Sequence, residues 1–356
     1  MPVLLALTLL VAQGWVGQHR LSQPDSEYNG APDIVFDHEG TPWAGWTYLY
    51  HDSSPAYSTW LGDSWAFQRK IMPNDTGMRG RAGIILSVDD LGRVWICWST
   101  FNDDGIDYCG TDYWDGEHWS PPARATPESL TDTLTYGGGK WFACGGGAVW
   151  FTWSGAKTAS SETCTVFASR WDEAQQKWGP LMQVSQPDGG FYWCNSVAVD
   201  STGRPHVFYV DVGRLRVWHS FYDGTQWSVP EPVNDTDRTT ASPNALPLAS
   251  VDADGVIHVT YTGALIGASY RSIMYTYNDG TGWRPSVRAT QGSKDSLYPP
   301  WYAAVAAAHR NDVWAVWDRQ GEGPDQFRVY ASHFGGDTWS TEVRVDDHSL
   351  DSQIPL

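Results

Sequence analysis

The chain has 356 residues, which would fit one large domain or two ordinary ones, and 18% of them are charged while 41% are hydrophobic. This balance excludes extended disorder, because there is ample apolar material for a core. The formal net charge of −18 repels phosphate backbones and anionic membrane surfaces, so it argues against nucleic acid as a partner. The unusual feature is the aromatic content of 14%, with 22 Trp.

The chain begins with an apolar run at residues 3–12, VLLALTLLVA. This run is too short to span a bilayer but has the length of the hydrophobic part of a secretory signal, and Ala12-Gln13-Gly14 offers a cleavage site. No Lys or Arg precedes the run, and a buried first strand is the alternative interpretation. We expect residues 1–14 to be a signal peptide, residues 15–356 to form one domain, and the protein to be secreted, periplasmic or displayed on the cell surface. No later segment is long and apolar enough to predict a membrane span.

The next element, WVGQHRLSQPD at residues 15–25, matches WGPLMQVSQPD at residues 178–188 and belongs to a repeat. In this repeat a Trp is followed six positions later by an apolar residue. The anchor positions are Trp15, Trp65, Trp119, Trp178, Trp227, Trp283 and Trp339. The mean interval is about 54 residues, so the chain contains six complete units.

Each unit carries a second mark, a Trp or His followed three residues later by Trp or Tyr. The pairs are Trp43/Trp46, Trp95/Trp98, Trp150/Trp153, His206/Tyr209, His258/Tyr261 and Trp314/Trp317. In four units an Asp-x-x-Gly tight-turn signature stands just before this mark, at residues 37–40, 89–92, 200–203 and 252–255. An Asp-Gly pair precedes the anchor Trp at 115–119, 223–227 and 279–283, which is a hairpin signal.

Each unit therefore reads as four short antiparallel strands, and no stretch shows a sustained helical period. Repeated four-stranded units predict an all-β propeller, in which radial stacking buries both faces of every sheet. Aromatic residues at i and i+3 of the second strand lie on opposite faces, as such burial requires. Most of the 22 Trp are thereby assigned to packing rather than to a ligand.

Six blades are expected, and a seven-bladed ring that is incomplete or truncated is the alternative. Residues 15–25 could replace or supplement the outer strand of the last blade, whereas the tail DDHSLDSQIPL after Val345 resembles the approach to a further first strand.

The phrases SVAVDSTGRPHVFY at 196–209 and ASVDADGVIHVTY at 249–261, followed by YDGTQWS or YNDGTGW, resemble the bacterial-neuraminidase-repeat, or sialidase-like, propellers over residues 15–345. The Asp box of that family survives only as Asp-Gly-x-x-Trp. The resemblance implies the fold and not the activity, because its catalytic motifs are not matched. The early string His19-Arg20-Leu21-Ser22 lacks the Pro of the family motif and falls on the wrong strand.

The long loops lead into each first strand and connect the second strand to the third, so functional residues are expected there. Trp193 and Trp301 share a register, seven residues before Asp200 and before Ala308, and a flat ring can face the C–H surface of a sugar. Arg side chains on these loops could hold the carboxylate of an acidic sugar. The predicted ligand-binding residues are Tyr28, Arg79, Arg81, Tyr192, Trp193, Arg238, Arg271, Trp301 and Arg319. Ordinary packing and surface ion pairs are the alternatives for these aromatic and Arg residues.

A sialidase-type mechanism would need a Tyr nucleophile with a carboxylate, and an acid across the sugar ring. The catalytic candidates are Tyr298 or Tyr302 with Glu322, and Asp52 or Asp104 as the acid.

Cofactor chemistry is not indicated. The five cysteines, Cys97, Cys109, Cys144, Cys164 and Cys194, lack the spacing of a zinc site, and residues 234–237 lack the order of a calcium loop, so we expect no metal and no cofactor. Cys97 with Cys109, and Cys164 with Cys194, are pairs that the repeat would bring near each other, and simple burial of the thiols is the alternative.

The leading hypothesis is an exported propeller that binds glycan or another extracellular ligand on its long-loop face without catalysis. A glycoside hydrolase of sialidase type or a polysaccharide lyase acting on acidic sugars is one alternative. A scaffold for extracellular protein–protein interaction is the other.

Overall fold

The computed structural model of the protein describes eleven stretches of the chain: residues 29–48, 55–67, 69–70, 79–101, 107–126, 141–155, 163–235, 238–242, 245–290, 300–320 and 327–345. The signal peptide predicted at 1–14, the segment 15–25 and the tail after Val345 lie outside these residues, and so do the predictions made for them.

The described strands form six separate sheets. Blade 1 contains β1 (Asn29–Phe36), β2 (Pro42–Tyr48), β3 (Pro55–Thr59) and β4 (Arg69–Lys70). Blade 2 contains β5 (Arg79–Val88), β6 (Val94–Phe101), β7 (Asp107–Trp114) and β8 (Ala123–Arg124). Blade 3 contains β9 (Phe142–Gly145), β10 (Ala148–Gly155), β11 (Thr165–Asp172), β12 (Lys177–Trp178) and β13 (Met182–Gln183). Blade 4 contains β14 (Tyr192–Val199), β15 (Pro205–Asp211), β16 (Arg216–Phe221) and β17 (Glu231–Pro232). Blade 5 contains β18 (Thr239–Ala241), β19 (Leu248–Val251), β20 (Ile257–Leu265), β21 (Ser272–Asn278) and β22 (Val287–Arg288). Blade 6 contains β23 (Pro300–His309), β24 (Asp312–Gln320), β25 (Phe327–Phe334) and β26 (Val343–Arg344).

The architecture is a six-bladed β-propeller, which confirms the fold predicted from the repeat. The paired strands are antiparallel neighbours within each sheet, and the part of the chain that the structure describes contains no helix, hence none able to cross a membrane. Blades 3 and 5 have five strands instead of the expected four. Blade 6 has its own outer strand, β26, so residues 15–25 are not needed to replace it.

The anchor Trp residues join adjacent blades. Within its blade, each described anchor pairs with the end of the third strand, as Trp119 does with Trp114. In blades 2 to 6 the anchor ring also contacts the preceding blade: Trp227 lies edge-on to Trp150 with ring centroids 6.0 Å apart, and Trp339 lies edge-on to Tyr275 at 5.0 Å. Hydrophobic clusters accordingly extend across the five junctions between consecutive blades from 1 to 6. Many of the aromatic side chains that make the composition unusual therefore pack between neighbouring blades.

The alternation of Trp and His in the second mark has a simple physical reason. The indole Nε1 of Trp95 donates to Asp89 Oδ2 at 2.7 Å, and in blade 5 His258 Nε2 lies 3.0 Å from Asp252 Oδ2. Both rings thus present an N–H to the Asp of the tight turn. The turn Asp has two roles. One carboxylate oxygen accepts the ring N–H, and the other accepts backbone N–H groups of the turn, such as that of Arg93.

Blade 4 extends this arrangement into a buried chain of two histidines. His206 Nδ1 lies 3.0 Å from His219 Nε2, and His219 Nδ1 lies 3.0 Å from Glu231 Oε1. Burial and then repulsion from His219 lower the pKa of His206 to about 4, and burial lowers the pKa of His219. Both rings are therefore neutral in the folded protein at pH 7.

We expect the contribution of His206 to the free energy of unfolding to fall as the pH drops from about 6.5 to about 4. The unfolded chain binds a proton on His206 near pH 6.5, but the folded chain binds it only near the lowered pKa of about 4, so acid favours unfolding. The contribution of His206 is about 3 kcal/mol. Urea denaturation across this range measures it, and His206→Gln should flatten the slope. An equal slope in parent and variant would contradict this assignment.

Cys97 is a fully buried free thiol, so it is not bonded to Cys109 and fits the alternative of simple burial. Burial raises the pKa of this thiol. The side chain of Cys194 lies outside the described residues, and its pairing with Cys164 stays a prediction.

Candidate functional site

The two faces of the propeller differ in their connections. On the long-loop face, the first strand of each blade begins, the second strand ends and the third begins. Its connections include residues 125–141 and 156–164, whereas the opposite face carries tight turns such as 200–204 and 252–256. The longer connections, where functional residues are predicted, thus belong to one face of the propeller.

The innermost strands are irregular near this face. Register shifts interrupt β1 between Gly30 and Asp33, β5 between Arg81 and Ile84, β14 between Trp193 and Ser196, and β23 between Pro300 and Ala303. In blade 5 the innermost strand is split into β18 and β19, which both pair with β20. Bulges re-aim side chains and are frequent at rims that carry sites.

The bulge of blade 4 is fixed to blade 3 by a buried amide. Asn195 lies within it, and its Nδ2 donates to Thr152 Oγ1 at 2.7 Å while its Oδ1 accepts from Ser154 Oγ at 2.7 Å. Asn195 is fully buried, so these hydrogen bonds hold the start of β14 in one position.

Trp193 stands at the edge of this bulge. Its ring is half-buried and stacks on Phe191, with centroids 5.8 Å apart and planes 18° from parallel. The buried part packs against the cluster between blades 4 and 5. The two rings thus form a supported aromatic pair at the long-loop face.

Tyr192 points to the other side of the strand. It is 2% exposed, and its hydroxyl donates to Asp188 Oδ1 at 2.6 Å. The same carboxylate oxygen accepts the backbone N–H of Gly190 at 3.0 Å. A Cβ at Gly190 would approach the phenol ring to 2.9 Å, so only glycine lets the segment fold over Tyr192.

Arg214 completes the polar side of this region. Its Nη1 donates to Asp211 Oδ2 at 2.6 Å and lies 3.4 Å from Asp188 Oδ2. The Arg214 side chain is 53% exposed and that of Asp188 is 32% exposed, whereas Asp211 is buried. We call Asp188, Phe191, Trp193 and Arg214 the blade 4 site, since it combines half-exposed rings with exposed donors and acceptors.

The electrostatics of this region favour charged Asp188 and neutral Tyr192. Hydrogen bonds from Tyr192 and from the Gly190 N–H lower the pKa of the Asp188 carboxyl. Burial, followed by the hydrogen bond to Asp188, raises the pKa of Tyr192 to about 12. The tyrosine–carboxylate pair has hydrogen-bond spacing, but its phenol is held protonated and buried.

The other predicted site residues differ in placement. Arg319 is 2% exposed and donates to Glu342 Oε1 and Oε2 at 2.7 and 3.0 Å. Its guanidinium is therefore buried and paired with a carboxylate of the same blade. Arg238 and Arg271 are exposed at the long-loop end of blade 5.

For four further residues the structure places the backbone. Arg79 and Arg81 lie in β5, and Trp301 and Tyr302 lie within the bulge of β23. That bulge begins one residue earlier than in β14, so Trp193 is paired with Val210 while Trp301 is not in the ladder. Tyr28, Asp52, Asp104, Tyr298 and Glu322 lie outside the described residues.

Sequence reasoning missed Phe191, Asp188, Asp211 and Arg214. The glycine pair at 189–190, just before an aromatic run, was the available signal for the first two. Nothing in the spacing of Asp211 and Arg214 singles them out. No group of His, Cys, Asp or Glu residues able to hold a metal is found in the described stretches.

No family model matches the chain, and no curated protein matches it. Solved structures do resemble it. A fungal lectin of Aleuria aurantia, a six-bladed propeller that recognises fucose, has a TM-score of 0.52 at 12% identity, covering 92% of this chain and 98% of its own. A lectin of Burkholderia pseudomallei has a TM-score of 0.58 at 11% identity, covering 89% and 84%. The α-L-arabinanase of Penicillium chrysogenum, complexed with arabinobiose, has a TM-score of 0.54 at 12% identity, covering 86% and 94%. At these identities the likeness concerns the fold.

Proposed function

We propose that this protein binds carbohydrate on its long-loop face, at the blade 4 site, without catalysing a reaction. The observations that carry the proposal are the half-buried, stacked Phe191–Trp193 pair at the long-loop face and the Asp188–Arg214 ion pair of the same blade.

This combination suits a sugar. A saccharide ring has an apolar C–H surface and hydroxyl groups at its edge, so it needs a flat apolar platform with donors and acceptors at the side. Trp193 supplies the platform, Asp188 accepts and Arg214 donates. The platform is preorganised, because Asn195 and the Tyr192 hydroxyl fix the chain on both sides of it.

Tyr192, the buried tyrosine next to the blade 4 site, is not suited to act as the nucleophile of a sialidase-type hydrolysis. A tyrosine nucleophile must become a phenolate, and the pKa of Tyr192, raised to about 12, opposes this at neutral pH. The predicted catalytic candidates Tyr298, Glu322, Asp52 and Asp104 lie outside the described residues, so hydrolysis or lyase chemistry remains the alternative proposal. The carbohydrate-related proteins among the structural neighbours support a saccharide ligand for either reading.

We expect Trp193→Ala to lower the affinity for the bound saccharide by about tenfold or more, because stacking area at the centre of the site is lost. A glycan array identifies the ligand, and isothermal titration calorimetry measures the change. The matched control is Phe67→Ala, which removes an aromatic side chain that is 74% exposed on blade 1.

Three outcomes are informative. Loss of binding in Trp193→Ala but not in Phe67→Ala supports the site, provided that both variants unfold at the parent's urea concentration. Equal affinity of parent and Trp193→Ala would remove the site from the proposal. A parent that releases 4-methylumbelliferone from its sialoside faster than buffer would favour the hydrolase instead.

A further inference from the structure

The long-loop end of blade 5 carries two exposed arginines close to the blade 4 site. Arg238 immediately precedes β18, and Arg271 immediately precedes β21. Both of these strands pair with β20, one on each side: Thr239 faces Leu265, and Ser272 faces Gly263. Arg238 and Arg271 therefore flank the end of β20, two strand spacings or about 10 Å apart along the sheet.

The backbone under Arg238 is held rigidly. Its carbonyl accepts the N–H of Ile266 at 2.8 Å, and its own N–H donates to Asp235 at 3.0 Å. Below it, Asn234 Nδ2 donates to the carbonyl of Thr239 at 3.2 Å, and Thr239 Oγ1 lies 3.3 Å from the Tyr261 hydroxyl. Such a buried network fixes β18, so the arginine projects from a preorganised position.

This end of blade 5 is continuous with the blade 4 site. The N–H of Ala241 in β18 donates to the carbonyl of Leu215 at 2.9 Å, next to Arg214, and the N–H of Val212 donates to the carbonyl of Phe191 at 3.1 Å. Trp193 itself packs on the cluster shared by blades 4 and 5. A chain-like ligand lying on Trp193 can thus extend toward Arg238 and Arg271.

Position and charge together set these two arginines apart, because they lie exposed at the long-loop end of the blade next to the blade 4 site. The protein has 41 acidic against 23 basic residues, and several other arginines face carboxylates. Those arginines are Arg93, Arg214, Arg284, Arg310 and Arg319. Arg238 and Arg271 form no ion pair within the described stretches and remain exposed. A guanidinium left with open donors binds carboxylate or sulfate oxygens through paired hydrogen bonds.

We propose that Arg238 and Arg271 form an anion-binding extension of the blade 4 site and that the ligand is an acidic oligosaccharide. The carboxylate or sulfate groups of its residues bind the two guanidinium groups, while a sugar ring stacks on Trp193. This inference rests on the proposed function, and it adds the chemical class of the ligand and the second half of its binding surface. The negative net charge of the protein repels an acidic ligand, so binding away from these two arginines is disfavoured.

The test compares Arg238→Gln/Arg271→Gln with Arg69→Gln/Arg170→Gln by titration calorimetry. The second pair removes the same charge from exposed positions on blades 1 and 3 and is the matched control. The probes are oligogalacturonate and its methyl ester for carboxylate, and dextran sulfate and dextran for sulfate. We expect the parent to prefer one acidic probe over its neutral partner. The Arg238/Arg271 variant should lose about tenfold or more in affinity for that probe and nothing for the neutral one.

Each of the other possible outcomes would contradict a specific part of the proposal. An equal loss in the control variant would mean that net charge alone attracts the ligand, and an unchanged Arg238/Arg271 variant would remove the two arginines from the site. A parent that binds neutral but not acidic saccharides, with loss in Trp193→Ala, would overturn the anionic ligand and leave the proposed function standing. A parent that binds no saccharide would overturn both.

Discussion

Arg319→Met is expected to lower the free energy of unfolding by about 3–5 kcal/mol, because it removes the cation that contacts both oxygens of the buried Glu342 carboxylate. The two side chains are 2% and 0% exposed, and the guanidinium contacts both carboxylate oxygens. The guanidinium also lies over the Tyr330 ring, 4.8 Å from its centroid. Urea denaturation followed by Trp fluorescence measures the change.

Two controls separate the buried pair from a general loss of charge. Arg284→Met removes an arginine whose side chain is 43% exposed and paired with Asp279, and should cost under about 1 kcal/mol. The double change Arg319→Met/Glu342→Leu removes both charges and should recover most of the stability lost in Arg319→Met. A single variant no less stable than Arg284→Met would show that the pair does not hold blade 6 together.

Asp112→Ser is expected to leave stability nearly unchanged at pH 4 and to raise it by about 4 kcal/mol relative to the parent at pH 8. Asp112 is 2% exposed, and burial raises its pKa from 3.8 to about 7 against the opposing hydrogen bonds from Ser120 and the Tyr113 N–H. Because the folded pKa is raised, the parent is favoured below the unfolded pKa and loses that advantage as the pH rises toward about 7.

The choice of serine follows from the repeat. In each blade the third-strand residue paired with the position after the second-mark Trp or His is hydroxylic, except for Asp112 in blade 2. The other five are Ser58, Ser169, Ser220, Thr276 and Ser332. Each donates its hydroxyl to a carbonyl near the fourth strand, as Ser220 does to Ser228 at 2.9 Å. Only a protonated carboxyl could donate in the same way.

Urea denaturation of parent and variant at pH 4, 6 and 8 provides the test. Their difference should grow with pH and level off above the folded pKa of about 7. A difference that does not vary with pH would show that Asp112 is ionised in the folded protein throughout.

The fold could be read from the sequence to a large extent because its signals are local. The tight turn needs only Asp and Gly a few residues apart, as at Asp89 and Gly92, where Gly92 has a φ of 80°. The anchor Trp lies at the turn that leads to the fourth strand and pairs with the end of the third strand within the same hairpin, as Trp227 does with Tyr222. The extra strands of blades 3 and 5 escaped prediction, because they arise from irregular segments that break the repeat.

The candidate site was predictable only in outline. Trp193 was singled out because it falls outside the repeated aromatic positions. Its partner Phe191 and the polar group Arg214 had no comparable mark. Trp193 and Trp301 were predicted to occupy equivalent positions, but their strand pairing differs. The bulge of β23 begins one residue earlier than that of β14, so Trp193 is paired and Trp301 is not.

By itself, the order of residues determined the six sheets, the pairing of strands within them and the face with long loops, since hairpins form between segments adjacent along the chain. Only the tertiary structure decided which polar groups meet. Glu342 reaches Arg319 across 23 residues, and Asp188 receives the Tyr192 hydroxyl beneath a glycine that has no room for a side chain. The reason is that a turn or a strand depends on a few neighbouring dihedral angles, whereas a site depends on burial, register and charge contributed by separate strands, and these are fixed only when the blades pack.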